Sequence, residues 1–113
     1  MLASNYRLKK QKDFEAVYKR GRKKSGPFFN LSYAPNPALK TRFAFVMSKK
    51  EEKRVTQRNL AKRRFRAIVK EYQAQVKEGL DVVIMIKAKA LTLNFQELKT
   101  EASRLFKEAK LLK

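Results

Sequence analysis

The 113-residue sequence contains no cysteine, no histidine and no tryptophan, and it has only three glycines. Without cysteine the chain can form no disulfide and no thiolate metal site, which is typical of proteins from the reducing cytoplasm. Without histidine it has no imidazole for acid–base catalysis or metal binding near neutral pH. The few glycines do not form a glycine-rich phosphate loop. We therefore expect a cytoplasmic protein without these kinds of site.

Acidic residues are also scarce, at 10 Asp and Glu in total, and Asp13 and Asp81 are the only aspartates. Two-metal phosphoryl chemistry needs several carboxylates that converge on one site. Glu51 and Glu52 could form a pair of metal ligands, but adjacent carboxylates in a lysine-rich segment are more typical of surface charge. We expect no catalytic residue in this chain and no metal ion bound by this chain alone.

Basic residues dominate instead, since 29 Lys and Arg give a formal net charge of +19. Such an excess implies a polyanionic partner, either a nucleic acid or an anionic membrane. No apolar run approaches the roughly 18 residues of a membrane span, and the N-terminus lacks the apolar segment of a signal peptide, so no membrane partner is expected. The 43% hydrophobic content indicates a folded core. We predict a single RNA-binding domain over residues 1–113, with residues 1–12 as a flexible basic arm.

The segment 54–72 is predicted to be a helix with one apolar and one cationic face. The apolar stripe, which is expected to pack inward, consists of Ala61, Phe65, Ile68, Val69, Tyr72 and Val76. The neighbouring arc consists of Asn59, Lys62, Arg63, Arg66 and Lys70. Solvated helices usually interleave Glu with Lys at i,i+4 spacing, whereas residues 53–70 contain no acid. A solvated basic face is the alternative, but the unbalanced charge favours contact with a polyanion.

Three strands are predicted, two before this helix and one after it. Alternating side chains predict a strand over 28–33, after a basic loop at 21–27. The segment 42–48 is predicted to be a strand that pairs with it as the second arm of a hairpin. The nearly continuous apolar run 80–87 predicts a strand that is buried on both faces and central in its sheet.

Two further helices complete the chain. One is predicted over 13–20 and is ended by Gly21, and the other runs from a capping box at Asn94 and Glu97 to the C-terminus. The resulting order α-β-β-α-β-α indicates a single-domain α+β protein in which a helix crosses over between two strands.

Two motifs occur in a fixed order along the chain. Val46-Met-Ser-Lys-Lys50 precedes Arg58-Asn-Leu-Ala-Lys-Arg-Arg-Phe-Arg66, and Arg7-Leu-Lys-Lys-Gln-Lys-Asp-Phe-Glu-Ala-Val-Tyr-Lys-Arg-Gly21 lies near the N-terminus. The first two segments resemble the patterns V-S-K-K and R-N-R-x-K-R-x-x-R, and the N-terminal segment resembles R-L-x-x-x-x-D-F-x-x-V-(F/Y)-x-x-G. All three patterns belong to the protein subunit of bacterial ribonuclease P. The resemblance covers nearly the whole chain.

The resemblance implies both a fold and a function. The fold is an α/β two-layer sandwich of the ribosomal protein S5 domain 2-like type, with an uncommon left-handed βαβ crossover. The implied function is to bind the catalytic RNA subunit of ribonuclease P and the 5′ leader of precursor tRNA, and to assist endonucleolytic removal of the leader. The RNA would carry the active site and would hold most of the Mg2+ of the holoenzyme.

The resemblance also implies which residues contact RNA. By motif position, the contacts with the catalytic RNA are made by Arg58, Asn59, Lys62, Arg63 and Arg66, with Lys49 and Lys50 adding to the same surface. Leu60 stands where the family has the second arginine of R-N-R, so one RNA contact is expected to be lost or moved.

The family's leader-binding cleft lies between the first helix and the sheet. Phe14 and Tyr18 match its aromatic positions, where stacking on bases tolerates any leader sequence. An ungapped alignment from Gly21 places Ser32 where the family has a tyrosine, while Tyr33 points to the other face. The residues Phe14, Val17 and Tyr18 also fit an ordinary core stripe, and this alternative stays open.

Three other functions are compatible with parts of the sequence. A small ribosomal or general structured-RNA-binding protein fits the charge and size equally well. A DNA-binding protein would use the basic helix in the major groove, but no helix-turn-helix pair accompanies it. A stand-alone nuclease would need more converging carboxylates.

Overall fold

A computed structural model describes residue 8 and the ranges 11–37 and 40–113. Within these residues, three α-helices, one short 3-10 helix and four strands follow one another along the chain. They are α1 (Gln11–Arg20), β1 (Arg22–Ser25), β2 (Phe29–Pro35), β3 (Arg42–Val46), α2 (Val55–Tyr72), β4 (Leu80–Ile86), the 3-10 helix (Ala88–Thr92) and α3 (Phe95–Glu108). The strands form one sheet in the order β1-β2-β4-β3. This architecture confirms the predicted single-domain α+β class, with the predicted elements in their predicted order.

β4 is the central strand, as its continuous apolar sequence predicts. It pairs antiparallel with β2 on one side and parallel with β3 on the other. Val82, Val83 and Ile84 are completely buried, so both faces of the strand are covered. Branched side chains suit this position because they pack well against their neighbours on a pleated surface.

The predicted hairpin of β2 and β3 is wrong, because β4 lies between the two strands. Leu31 of β2 and Phe45 of β3 are both register partners of Ile84. A strand that is apolar on both faces has to be interior, so it inserts between two strands that are each less apolar. β3 and β4 run parallel and α2 connects them, as the sequence predicts. The left-handed sense of this crossover stays a prediction.

The segment 21–27, predicted to be a basic loop, contains the edge strand β1. β1 pairs antiparallel with β2, with Arg22 opposite Tyr33 and Ser25 opposite Asn30. Lysine and arginine are weak strand signals, but charge is common on sheet edges because it discourages pairing with another chain. A prediction based on apolar alternation therefore misses this strand.

Gly21 ends α1 as predicted, but the reason is lack of space. A Cβ atom at this position would lie 2.3 Å from the carbonyl oxygen of Val17 and 2.8 Å from that of Tyr33. The glycine with a positive φ angle is instead Gly79, directly before β4. Gly21 is thus required by the close approach of two backbone segments.

Helices α2 and α3 cover one face of the sheet. The stripe predicted for α2 is buried at Ala61, Phe65, Ile68 and Val69, and α3 contributes Leu98, Ala102, Leu105 and Phe106. Phe65 meets Phe29 of β2 edge to face, with ring centroids 5.0 Å apart, a geometry that aromatic pairs favour. The predicted capping box of α3 is confirmed, since Asn94 and Glu97 each accept the other's backbone N–H at 2.9 Å.

Helix α1 lies on the opposite face of the sheet. Its Val17 side chain is fully buried, in a smaller cluster formed by Leu8, Ala34, Ala44 and Val83. The backbone N–H of Leu8 donates to the carbonyl oxygen of Phe43 at 2.8 Å, which ties this N-terminal residue to β3. Of the predicted flexible arm, residues 11 and 12 belong to α1, and residues 1–7 and 9–10 lie outside the described residues.

A charge network joins α1 to the N-terminal ends of β3 and β4. Arg42 donates through Nε and Nη2 to the two carboxylate oxygens of Asp81, each at 2.8 Å. Asn36 also donates to Asp81 at 2.8 Å, and the Asp13 carboxylate lies 3.5 Å from Arg42. The hydrogen bond to Asp81 raises the pKa of the Arg42 guanidinium. Asp81 thus joins two strands of the sheet, and Asp13 links α1 to the sheet.

We expect Asp81→Ala to lower the free energy of unfolding by about 2–3 kcal/mol. The change removes the acceptor that Arg42 and Asn36 share, and the cost stays below that of a fully buried pair because the Arg42 side chain is 23% exposed. Urea denaturation followed by circular dichroism measures this loss. Glu78→Ala, at a carboxylate whose side chain is 75% exposed, is the control. Equal stability of the two variants would contradict a structural role for Asp81.

Candidate nucleic-acid interface

Residues 48–54, called the connector below, join β3 to α2. The carbonyl oxygen of Ser48 accepts the N–H groups of Glu51 and Glu52, both at 3.1 Å. A carboxylate oxygen of Glu51 accepts the N–H of Ala88 at 2.8 Å, which ties the connector to the 3-10 helix after β4. Internal hydrogen bonds therefore give the connector a defined shape.

Glu52 fixes the end of the connector that leads into α2. Its carboxylate accepts the backbone N–H of Arg54 at 3.1 Å and the Nε–H of the same residue at 2.7 Å. The hydrogen bond from the Arg54 side chain lowers the pKa of Glu52. The two glutamates interpreted as surface charge thus hold the connector in shape, while Lys49 and Lys50 are exposed.

Arg58, in the first turn of α2, is partly buried against the connector. Its Nη1 donates to the carbonyl oxygens of Glu52 and Lys53, both at 2.9 Å. The arginine predicted to contact RNA therefore also has an internal role. The sequence gives no signal for this role, because both acceptors are main-chain atoms.

The polar face of α2 is cationic and accessible. Asn59 and Arg63 are exposed, and Lys62 and Arg66 are partly exposed. The Arg66 guanidinium lies over the ring of Phe45 at 5.8 Å from its centroid, a cation–π contact that orients the side chain. Because the opposite stripe of α2 is buried, these side chains face outward together.

The N-terminal end of α2 adds to the positive potential. Its N-cap is Arg54, which makes no side-chain capping bond, and its first turn contains no acid. The first N–H groups of a helix have no partner within the helix and carry a partial positive charge, so this end favours anions. Together with the connector lysines, the helix can bind a row of phosphates.

Leu60, where the family has its second arginine, is partly buried on α2. Arg64 follows one turn later and is partly exposed. Residues four apart are neighbours on a helix surface, so a basic side chain remains next to the position of the missing arginine.

A second surface lies on the other face of the sheet, beside α1. Phe14 is partly buried against the small cluster under α1, and Val46 and Met85 pack against the same cluster from the sheet. Tyr18, one turn after Phe14, is 41% exposed, and partial burial raises the pKa of its phenol. Phe14 thus takes part in core packing, as the alternative interpretation predicted, whereas Tyr18 is accessible to a ligand.

Ser32 does not reach this second surface. Its side chain is completely buried, and its Oγ has no hydrogen-bond partner in the part of the chain that the structure describes. It lies opposite Val83 of β4 and Lys23 of β1, beneath the accessible surface. Tyr33 faces the other side, as predicted, and its hydroxyl donates to the carbonyl oxygen of Ala109 at 3.3 Å.

The two surfaces therefore lie on opposite faces of the sheet, and the connector joins the edge strand β3 to α2. Over the ranges 11–37 and 40–113, no three acidic side chains come close enough to hold a metal ion. None of the helices in these ranges is long and apolar enough to cross a membrane.

Fold, charge and exposed helix together define a small basic α+β protein with the features of an RNA-binding protein. The chain belongs to the ribonuclease P family, because the sequence profile described as Ribonuclease P matches residues 2–110. This match confirms the resemblance found in the sequence. Members of the family are protein subunits of a ribonucleoprotein endoribonuclease.

Named relatives and solved structures agree with this assignment. A Pseudanabaena protein named ribonuclease P protein component is 34% identical over 113 residues, which cover 99% of this chain and 97% of the relative. A protein of the same name from Phytoplasma australiense is 35% identical over 108 residues, which cover 95% of this chain and 93% of the relative. The RNase P protein of Staphylococcus aureus matches with a TM-score of 0.87 at 24% identity, over 96% and 98% of the two chains. That of Thermotoga maritima has a TM-score of 0.81 at 24% identity, over 90% and 96%. These likenesses confirm the predicted fold.

We expect Arg58→Lys to loosen the connector while α2 stays folded. Lysine keeps the charge, but its ammonium is strongly hydrated on a flexible stem, so it holds the two carbonyl oxygens less firmly. Hydrogen–deuterium exchange should become faster at the amides of Glu51, Glu52 and Arg54. Arg63→Lys, the same change at an exposed site, should leave these amides unaffected. Unaltered exchange in the Arg58 variant would refute its internal role.

Proposed function

We propose that the chain binds the catalytic RNA subunit of ribonuclease P and the 5′ leader of precursor tRNA in the cytoplasm, and so assists removal of the leader to give the mature tRNA 5′ end. The observation that carries the proposal is the acid-free cationic face of α2, which continues into the exposed lysines of the connector. Family membership supports the same assignment.

In this proposal α2 and the connector bind the catalytic RNA. Lys62, Arg63 and Arg66 neutralise phosphates, and Asn59 hydrogen-bonds to the sugar–phosphate backbone or to base edges. Lys49 and Lys50 extend the contact beyond the end of the helix. The internal bonds of Arg58 and of the connector glutamates hold the backbone that carries these charges.

The leader lies in the cleft beside α1. The exposed ring of Tyr18 provides a stacking platform for an unpaired base, and partly buried Phe14 lies one turn away. Stacking of a base on an aromatic ring contributes about 1–3 kcal/mol and tolerates every base, which suits a leader of variable sequence. Ser32 supports the cleft from below without touching the leader.

Cleavage of the phosphodiester bond is the task of the RNA partner in this proposal. Mg2+ would be held mainly by the RNA and would supply the metal-ion chemistry of the cleavage step there. The residues of this chain bind and orient, since α2 anchors the protein on the RNA and the α1 cleft holds the leader.

A processing assay tests the proposal directly. The purified protein, a bacterial ribonuclease P RNA and a precursor tRNA are mixed at low Mg2+, and release of the leader is followed beside protein-alone and RNA-alone controls. Cleavage should need the RNA and should rise strongly when protein is added. Cleavage by the protein alone would place the chemistry in this chain. Tight RNA binding without any effect on processing would favour a small ribosomal or general structured-RNA-binding protein.

We expect Lys62→Gln and Arg63→Gln each to weaken binding to the catalytic RNA. Each lost phosphate contact should lower the salt slope, which is the slope of log K against log salt concentration, by up to about one unit. Fluorescence titrations at several salt concentrations measure it. Lys12→Gln, an exposed lysine of α1, is the control and should keep the wild-type slope. Unchanged slopes in both α2 variants would show that the helix does not contact the RNA.

We expect Tyr18→Ala to lower the affinity of the holoenzyme for precursor tRNA by about 5- to 150-fold, because a base loses its stacking platform. Affinity for mature tRNA, which has no leader, should not change, and Tyr18→Phe should retain most of the binding. Equilibrium binding of both tRNAs to each holoenzyme provides the comparison. An equal loss for precursor and mature tRNA would argue against a leader contact.

A further inference from the structure

Four lysines surround an open cleft at the end of the molecule where α2 and α3 both terminate. The cleft is lined by Ala74, Gln75, Lys77, Lys107, Lys110, Leu112 and Lys113. No lining residue is acidic. This cleft is separate from the two surfaces described above, because it lies at the far end of α2 from the connector.

The lysines on the two sides of the cleft are held by backbone pairing. Val76 and Leu112 form an antiparallel bridge after the ends of α2 and α3. The N–H of Lys77 donates to the carbonyl oxygen of Leu111 at 2.7 Å, and the N–H of Lys113 donates to that of Gln75 at 2.7 Å. The cleft therefore has a fixed backbone frame.

Lys110 adopts a backbone conformation that lysine rarely takes. Its φ angle is 60°, and no other non-glycine residue in the described ranges has a positive φ angle. Its N–H donates to the carbonyl oxygen of Lys107, and the N–H of Leu111 donates to that of Phe106, both at 3.0 Å. This pair of bonds ends many helices, and the residue at the position of Lys110 is usually glycine. A residue kept where its backbone is strained, although glycine would relieve the strain, points to a function for its side chain.

Nearby acids pair with only one of the four lysines of the cleft. Glu108 is engaged by Arg104 at 2.5 Å and by Lys24 at 3.6 Å. Lys113 lies 3.7 Å from the largely exposed Glu78. The other three lysines of the cleft make no ion pair with any residue of the described ranges.

A purely structural explanation accounts for only part of this arrangement. Basic residues near the C-terminal end of a helix interact favourably with its dipole, which explains Lys107 in the last turn of α3. The dipole does not require Lys77 and Lys113, which come from other segments, and it does not explain a strained lysine where glycine would fit.

We propose that this cleft binds a second stretch of sugar–phosphate backbone in the same large RNA that α2 contacts. The inference rests on the proposed function. Four ammonium groups without an aromatic ring or an arginine fork suit phosphates better than bases. The 18 residues of α2 separate the cleft from the connector by about 27 Å. A folded RNA of larger size reaches both sites at once, so each contact strengthens the other.

The variant Lys110→Gly separates this function from a role in folding. Glycine adopts the positive φ angle without strain, so the thermal midpoint of unfolding should rise. The loss of one phosphate contact should lower the salt slope for the catalytic RNA by up to about one unit. A lysine with a purely structural role would change the midpoint and leave the slope unaltered.

Simultaneous replacement of Lys77, Lys107 and Lys113 by Gln should lower the slope by up to about three units. Lys19→Gln, at a single exposed lysine on α1, is the control for loss of charge away from the cleft and should not change the slope. An unchanged slope in the triple variant would overturn the inference, while tight wild-type binding and stimulated processing would leave the proposed function standing. If the wild-type protein fails to bind the RNA, the proposed function falls as well. An equal fall in affinity for an unrelated folded RNA of the same length would overturn the assignment to this partner.

Discussion

The burial of β4 on both faces is the constraint on which the rest of the structure depends. Its apolar side chains, such as Val83 and Ile84, point to both sides of the sheet, so each face needs a cover. α2 and α3 provide the cover on one face and α1 provides part of it on the other. This requirement fixes α2 along β3 with its basic side chains outward, and it leaves Tyr18 at the edge of the cover. Both candidate RNA surfaces therefore follow from the need to bury one strand.

The acidic residues are few, and several of them occupy positions where they bind groups of the protein itself. Asp81 joins two strands through Arg42, Glu51 binds a backbone N–H of the 3-10 helix, and Glu97 caps α3. These carboxylates satisfy donors of the protein itself, and none of them lies on α2. As a result the cationic face of α2 has no neighbouring acid on its own helix between Arg54 and Lys70, and its charge remains available to a partner.

The features that could be predicted are those with a local signal in the sequence. The spacing of Phe65 and Ile68, the continuous apolar run of β4 and the capping residues of α3 each depend on residues close together in the chain. Pairing partners and exposure depend on distant segments. The hairpin prediction was wrong because less apolar strands accept several partners, and β1 was missed because it carries charge. The burial of Ser32 and the internal bonds of Arg58 depend on where α1 and the connector backbone lie in space.

The bond between Glu51 and the backbone of Ala88 has a consequence for the entropy of association. A loop that becomes ordered only when it contacts its partner loses conformational entropy on binding, and this loss lowers the affinity. Here the connector is already ordered when the protein folds, because its internal hydrogen bonds and the bond from Ala88 of the 3-10 helix hold it in shape. An encounter guided by the net charge of +19 then needs no slow rearrangement of this loop before contacts form, which favours rapid association at low ionic strength.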